Sequence, residues 1–179
     1  MSSTNKKIAI IGAGVAGLLA AVTAADRGAK VMLFEKMPKV GLKMGITGKG
    51  RCNLTNSAPI KDFIGKTPGI GKFLYSDYEA FSNTDLLELL HGYGLVTKVE
   101  RGGRVFPASD DAQEVRHLFM RLLKEKKVAL HLEEPVSHIV VIDGRAKGVV
   151  TKKGRYDADA VILTTGGASY PRTGSTGDG

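Results

Sequence analysis

Three short apolar runs without polar alternation frame this chain. Residues 7–11, 30–34 and 160–164 each predict a buried parallel strand, and residues 128–132 predict another. Residues 15–27 are Ala-rich and predict a helix, which Gly28 ends in a left-handed cap. Residues 37–57 follow neither period and predict a loop with short helical turns; residues 59–71 continue it. So long a loop is uncommon in a domain unless it binds something. Residues 72–81 and 84–93 predict helices, with Ser82-Asn83 as a cap between them and Gly94 as a stop. Residues 96–100 and 104–106 predict a strand pair around Gly102-Gly103. Residues 112–126 predict a helix capped by Asp110 or Asp111, with Val115, Leu118, Phe119, Leu122 and Leu123 on one face. Residues 136–142, 146–151 and 155–157, joined by Asp143-Gly144 and Lys153-Gly154, predict a three-stranded antiparallel meander. The expected class is α/β: a Rossmann-like parallel sheet with helices and a β-meander. No internal repeat or low-complexity segment interrupts it.

The first strand leads into Gly12-Ala13-Gly14-Val15-Ala16-Gly17. Gly12 permits a tight turn, Gly14 lets a pyrophosphate approach the backbone, and Gly17 lets the helix pack close to the strand. The helix N-terminus beside Ala16 favours a phosphate through its free N–H groups and its dipole. Glu35 ends the second strand, 21 residues beyond Gly14, where a carboxylate can accept from ribose hydroxyls. It disfavours a 2′-phosphate there, an effect that Lys36 and Lys39 weaken. Strand, glycines, helix, cap, second strand and acid occur in order, which a chance GxGxxG does not produce. A second glycine block, Thr165-Gly166-Gly167, follows the last apolar strand and should lie beside the cofactor's phosphates or ribityl chain.

Composition narrows the picture only in part. With 179 residues, 42% hydrophobic content and mean hydropathy near zero, the chain reads as a soluble globular domain. Its apolar runs are too short to span a membrane, and Met1–Lys7 has no signal-peptide core. A single cysteine fits a reducing cytoplasm. The net charge of +8 attracts anions, but its lysines are dispersed and no aromatic-rich basic stripe accompanies them, so nucleic acid is not the expected partner.

Four ordered blocks resemble a bacterial flavoprotein family of NAD(P)/FAD-dependent oxidoreductases, which includes aminoacetone-oxidase-like and 3-dehydro-bile-acid Δ4,6-reductase-like proteins. They are the first glycine motif, Gly41 to Asn56 (GLKMGITGKGRCNLTN), Gly102 to Asp110 (GGRVFPASD), and Thr165 to Gly179 (TGGASYPRTGSTGDG). The resemblance implies FAD as cofactor, NAD(P)H as an electron donor, a small organic substrate, and hydride transfer at the flavin. Family members are roughly twice as long, a size consistent with several domains. The chain is therefore expected to be the N-terminal part, 1–179, of a truncated FAD-binding domain, with the C-terminal half as its missing partner. An NAD(H)-binding domain without flavin, and a non-catalytic fragment, are the alternative readings.

The resemblance lays the Thr47–Asn56 loop along FAD. Arg51 can pair with the pyrophosphate, while Lys43, Thr47, Gly50 and Asn53 are further candidates for the cofactor. The same loop also reads as a turn capped by Asn53 and Asn56. Cys52 reads as a packed or flavin-proximal thiol in preference to a catalytic one, since there is no CxxC. By fold analogy the backbone of Val136 reads the adenine edge. Arg104 and Ser109-Asp110 read equally as groups near substrate and as a hairpin and a helix cap. His91, His117, His131 and His138 lack metal-ligand spacing, and no residue presents itself as a general base.

Overall fold

The computed structural model of the chain describes residues 5–67 and 71–179; expectations for 1–4 and 68–70 lie outside them. In order run β1 (Lys7–Ile11), α1 (Val15–Asp26), β2 (Lys30–Phe34), a 3-10 turn (Met44–Gly50), β3 (Thr55–Asn56) and α2 (Ile60–Lys66). A second 3-10 turn (Gly71–Leu74) leads to α3 (Tyr75–Ala80), α4 (Asn83–Gly92), β4 (Thr97–Val99), β5 (Arg104–Pro107) and α5 (Ala112–Glu125). The chain ends with β6 (Ala129–His131), β7 (Val136–Ile142), β8 (Arg145–Thr151), β9 (Gly154–Asp157) and β10 (Ala160–Leu163). Two compact units result, Met1–Gly45 with Phe119–Gly179, and Ile46–Leu118.

The first unit is built on a parallel sheet of order β10-β1-β2-β6. Ala9, Ile10 and Leu33 are fully buried in it, as unalternated runs require. Helix α1 buries Gly17, Leu18, Ala21 and Val22, one face of a helix. Burying Leu18 and Val22 contributes about 2 kcal/mol each. Gly28 follows the helix at φ 84°, as a left-handed stop should. The meander β7-β8-β9 packs on the sheet through Val149, which joins Ala9, Ile11, Phe34 and, just beyond β9, Ala158 in one cluster.

Its two hairpins close differently. Asp143 and Gly144 are both left-handed, the two-residue turn that matches strand twist. The other loop is Lys152-Lys153, one residue earlier than the expected Lys153-Gly154. Thr151 Oγ1 accepts the Lys153 N–H at 3.1 Å and closes the turn, so Gly154 already pairs with Thr151 in the ladder.

The second unit carries the antiparallel sheet β3-β5-β4. The expected pair 96–100 and 104–106 is β4 and β5. Strand β3 is an addition inside a predicted loop: two residues have no readable period, and β3 exists because Thr55 and Asn56 pair with Val105 and Arg104. Helix α2 likewise replaces predicted loop, with Pro59 preceding its first turn and Thr67 Oγ1 donating to Phe63 O at 2.7 Å. The helix expected over 72–81 is split into the 3-10 turn and α3. Ser82 caps α4 in a reciprocal box with Asp85. Helix α5 passes from the second unit into the first, and Val115, Leu118, Phe119, Leu122 and Leu123 are all buried. No described helix is long and apolar enough to cross a membrane.

Candidate functional site

In the first unit the turn after β1 is fixed from three sides. Gly12 sits at φ 100°, and a Cβ there would lie 2.6 Å from Thr164 O. A Cβ on Gly17 would lie 1.8 Å from Gly12 O, so only glycine lets α1 start this close to the strand. Thr164 Oγ1 shares its proton between the carbonyls of Ile11 and Gly12, each 2.9 Å away. Thr164 was not among the sequence candidates; its signal is a hydroxyl ending an apolar strand immediately before a second glycine block.

Gly14, by contrast, faces open space: a Cβ there would meet nothing within 4 Å. It is the N-cap of α1 with no side-chain cap, and no acid occupies the first turn. Val15 is 49% exposed and Ala16 is exposed as well. The positive end of the helix dipole is thus open, with no acid in the helix's own first turn, and its free N–H groups suit an anion.

Glu35 is held in place by the backbone. Its Oε2 accepts from Ala13 N–H at 2.8 Å and its Oε1 from Met37 N–H at 2.9 Å. Each carboxylate oxygen retains a lone pair for a further donor. Ala13 O in turn accepts from Gly41 N–H at 2.9 Å, which ties the 37–45 loop to the same turn.

The second glycine block lies beyond β10. Gly166 is left-handed at φ 74°, and both Gly166 and Gly167 face open space where a Cβ would go. The loop after Thr165 is pinned by two lysines. Lys43 Nζ donates to Ser169 Oγ at 2.8 Å and lies 5.8 Å from the Tyr170 ring centroid. Lys36 pairs with Asp178 and holds its carboxyl below the usual range. Lys36 is therefore already engaged by a carboxylate. Val136 lies in β7, paired with Thr151 and packed on the Phe34 cluster.

The second unit contains the other candidate segment. Gly48, Lys49, Gly50 and Cys52 are all left-handed, with Thr47 extended before them. Gly48 is required, since a Cβ would lie 2.7 Å from the Phe106 ring. Cys52 N–H donates to Thr47 O at 3.1 Å and Arg51 N–H to Gly48 O at 3.4 Å, so these two groups close the loop itself. Asn53, with its amide turned to suit its neighbours, donates to Thr55 O and Val105 O at 3.2 Å. Cys52 is 3% exposed; burial pushes its thiol up, against a hydrogen bond from Thr47. That is the environment of a packed side chain rather than of a thiolate nucleophile.

Arg51 differs most from its expected environment. Its guanidinium donates to Glu100 at 2.8 Å and to Asp110 at 3.4 Å, and lies 4.1 Å from the Phe106 ring centroid. Glu100 foremost raises its pKa. Asp110, at φ 58°, also pairs with Lys98, which foremost lowers its pKa. A phosphate would have to compete with two carboxylates for this cation. The even reading of Ser109-Asp110 also divides: Asp110 belongs to the ionic network, while Ser109 accepts from Asp111 N–H at 3.3 Å. Asp111 caps α5 by accepting from Gln113 N–H at 2.8 Å. Arg104 donates to Arg101 O at 3.2 Å and stays in its hairpin. Among the described residues no cluster of His, Cys, Asp and Glu could hold a metal.

With that geometry established, likeness to known proteins becomes specific. The HI0933-like protein Rossmann domain matches residues 6–179. The chain belongs to this family. A 3-dehydro-bile acid delta(4,6)-reductase of Clostridium scindens is 36% identical over 178 residues, 97% of this chain and 42% of the relative. A ribosomal RNA dihydrouridine synthase of Haemophilus influenzae is 27% identical over 180 residues, 98% of this chain and 44% of that protein. This HI0933-like chain therefore spans less than half the length of these relatives. Among solved structures, Thermovibrio ammonificans THI4 superposes with a TM-score of 0.62 at 18% identity, covering 94% of this chain and 60% of that one. The Mycobacterium smegmatis Sdh1 complex gives 0.66 at 21%, covering 91% and 34%. The expected class, a Rossmann domain with a parallel sheet and antiparallel strands, is the one observed.

Proposed function

We propose that this chain is the cofactor-binding N-terminal part of an FAD-dependent oxidoreductase. The observation that carries the reading is the open N-terminus of α1 at Gly14, directly beside the anchored carboxylate of Glu35. This pairs a phosphate site with a ribose acceptor at the spacing of a dinucleotide fold. The residues fit the group: Gly12 and Gly17 shape the turn, Gly14 and Ala16 leave room and N–H groups for a pyrophosphate, and Glu35 accepts ribose hydroxyls. Val136 would offer its backbone to the adenine. Thr165, Gly166 and Gly167 would border the pyrophosphate or ribityl chain, with Lys43 bracing their loop. Bound there, FAD would supply hydride transfer between a small organic substrate or NAD(P)H and its isoalloxazine ring.

Within the second unit, Thr47, Gly50, Cys52 and Asn53 would form the loop proposed for cofactor binding. Arg51 would hold that loop through Glu100 and Asp110 rather than clamp phosphate itself. Lys36 would hold the Asp178 loop. A small organic substrate is favoured because identity is higher to the bile-acid reductase than to the ribosomal RNA enzyme.

The test is an absorption spectrum of the purified protein before and after acid release. Flavin bands, with FAD in the supernatant, are expected. A colourless protein that takes up NAD(H) but no added FAD would replace this reading with a nicotinamide domain.

A further inference from the structure

Glu134, in the connection between β6 and β7, is a carboxylate buried to 2% exposure that takes no part itself in the proposed cofactor contacts. Its Oε1 accepts from Thr151 Oγ1 at 2.8 Å and Tyr156 Oη at 2.7 Å. Its Oε2 accepts from Lys153 Nζ at 2.8 Å and lies 3.2 Å from His131 Nδ1. A buried ion pair is seldom more stabilising than well-packed apolar side chains of the same volume, so four partners converging on one carboxylate point to a geometric task.

The backbone shows what that task is. Immediately after β6, Glu134 N–H donates to Glu35 O at 2.9 Å and Glu133 N–H to Met37 O at 3.3 Å. Glu35 N–H donates back to His131 O at 2.8 Å. Met37 N–H is itself one of the two donors that orient the Glu35 carboxylate. Glu133 is left-handed at φ 53°, a conformation that a non-glycine residue keeps only where its surroundings hold it. The His131 ring stacks on Phe34, centroids 4.6 Å apart, beneath the same segment.

We infer that Glu134 is a positioning residue for Glu35: its side chain anchors the β6–β7 connection to the β8–β9 hairpin, and its backbone holds the 35–37 segment that aims the Glu35 carboxylate. The inference rests on the proposed role of Glu35 as acceptor for ribose hydroxyls. Glu134→Gln can keep an amide oxygen toward Lys153 only by turning its N–H₂ to Thr151 and Tyr156, whose hydroxyls must then change from donors to acceptors. With the charge also gone, every bond of the anchor weakens, which loosens the segment without emptying the site.

The test compares ADP with 2′,3′-dideoxy-ADP as displacers of FAD from the protein, read as released flavin fluorescence. Hydrogen bonds to a charged acceptor should give wild type a preference for ADP of about tenfold or more. In Glu134→Gln that preference should fall below about threefold while the dideoxy-ADP constant stays within about twofold of wild type. Equal weakening of both ligands, or an undiminished preference, would overturn the inference. If Glu134→Gln does not fold, Tyr156→Phe decides. Removing one donor should cut the preference by about half or more, and no change overturns the proposal. A wild-type protein that binds FAD yet shows no preference for ADP would remove the ribose role of Glu35, and this inference with it. The cofactor reading from the absorption spectrum would be untouched.

Discussion

The turn after β1 and the loop over residues 47–53 both place glycines and left-handed backbone where a cofactor is proposed, yet they are held by opposite means. The turn is held by neighbours in the parallel sheet. Its one positive φ falls on Gly12, and its close approach falls on Gly17. The loop puts Lys49 and Cys52 in the left-handed region, where an L residue loses about 1–2 kcal/mol. It is braced by Arg51 against Glu100 and Asp110. One device is steric and short-range; the other is ionic and spans 49 and 59 residues of sequence. Steric turns tolerate changes of salt and pH but not of a single methyl group. An ionic brace should behave the other way round.

The largest expected effect tests the steric side. Gly17→Ala would put a Cβ 1.8 Å from Gly12 O and 2.7 Å from Thr164 Oγ1, both in the sheet-anchored turn. Overpacking of this kind costs about 3 kcal/mol, or about 10 °C in Tm for a chain of this size. Gly14→Ala is the matched control: its φ of −73° suits alanine and its Cβ meets nothing. Its thermal stability should stay within about 0.5 kcal/mol of wild type, while its FAD affinity falls. Equal Tm values for the two variants would break the steric account of the turn.

That contrast also explains what could be read from the sequence. From β1 to Glu35 each signal is local: an apolar run, glycines at fixed offsets, a helix period and a cap. The meander was legible from its strand lengths and Asp143-Gly144. Strand β3 and the partners of Arg51 were not, because their causes lie in β5, Glu100 and Asp110, far along the chain. Thr164 was missed for a different reason. Its sequence signal is one hydroxyl, and only the pairing of β10 with β1 brings it to the turn.

Acid and salt should next separate two ionic anchors, Glu134 in the first unit and Arg51 in the second. Burial alone would raise the carboxyl of Glu134, but hydrogen bonds from Lys153, Tyr156 and Thr151 outweigh it and hold it at about 2, against 4.5 when unperturbed. A depressed carboxylate pKa contributes stability that is complete above the unfolded value and is lost as pH falls through the folded one. Tm should therefore fall with decreasing pH between about 4.5 and about 2, and the slope should shrink in Glu134→Gln. High salt should leave that step nearly unchanged, because the carboxylate is buried. Arg51→Met, whose network is partly exposed, should lower Tm by a few degrees in dilute buffer and by less at about 1 M salt. A salt-independent loss would mean that Arg51 acts through its packing on Phe106 and not as an ionic brace.

The smallest effect probes the strain that the brace opposes. Lys49 is exposed, and its φ of 59° and ψ of 42° place it squarely in the left-handed region. Lys49→Gly removes the clash of its Cβ with the backbone, worth about 1–2 kcal/mol. It gives back about 0.5–1 kcal/mol through the greater freedom of glycine in the unfolded chain. A net stabilisation of about 0.5–1 kcal/mol should remain, about 2 °C in Tm. Lys49→Ala keeps the Cβ and removes the rest of the exposed side chain with its charge, so it should show no gain. If alanine stabilises as much as glycine, the gain comes from removing a cation beside Arg51, and the loop holds no backbone strain at this position. If only glycine stabilises, the loop keeps a lysine against its backbone preference. The contrast with the turn, where every left-handed position is a glycine, is then energetic as well as geometric.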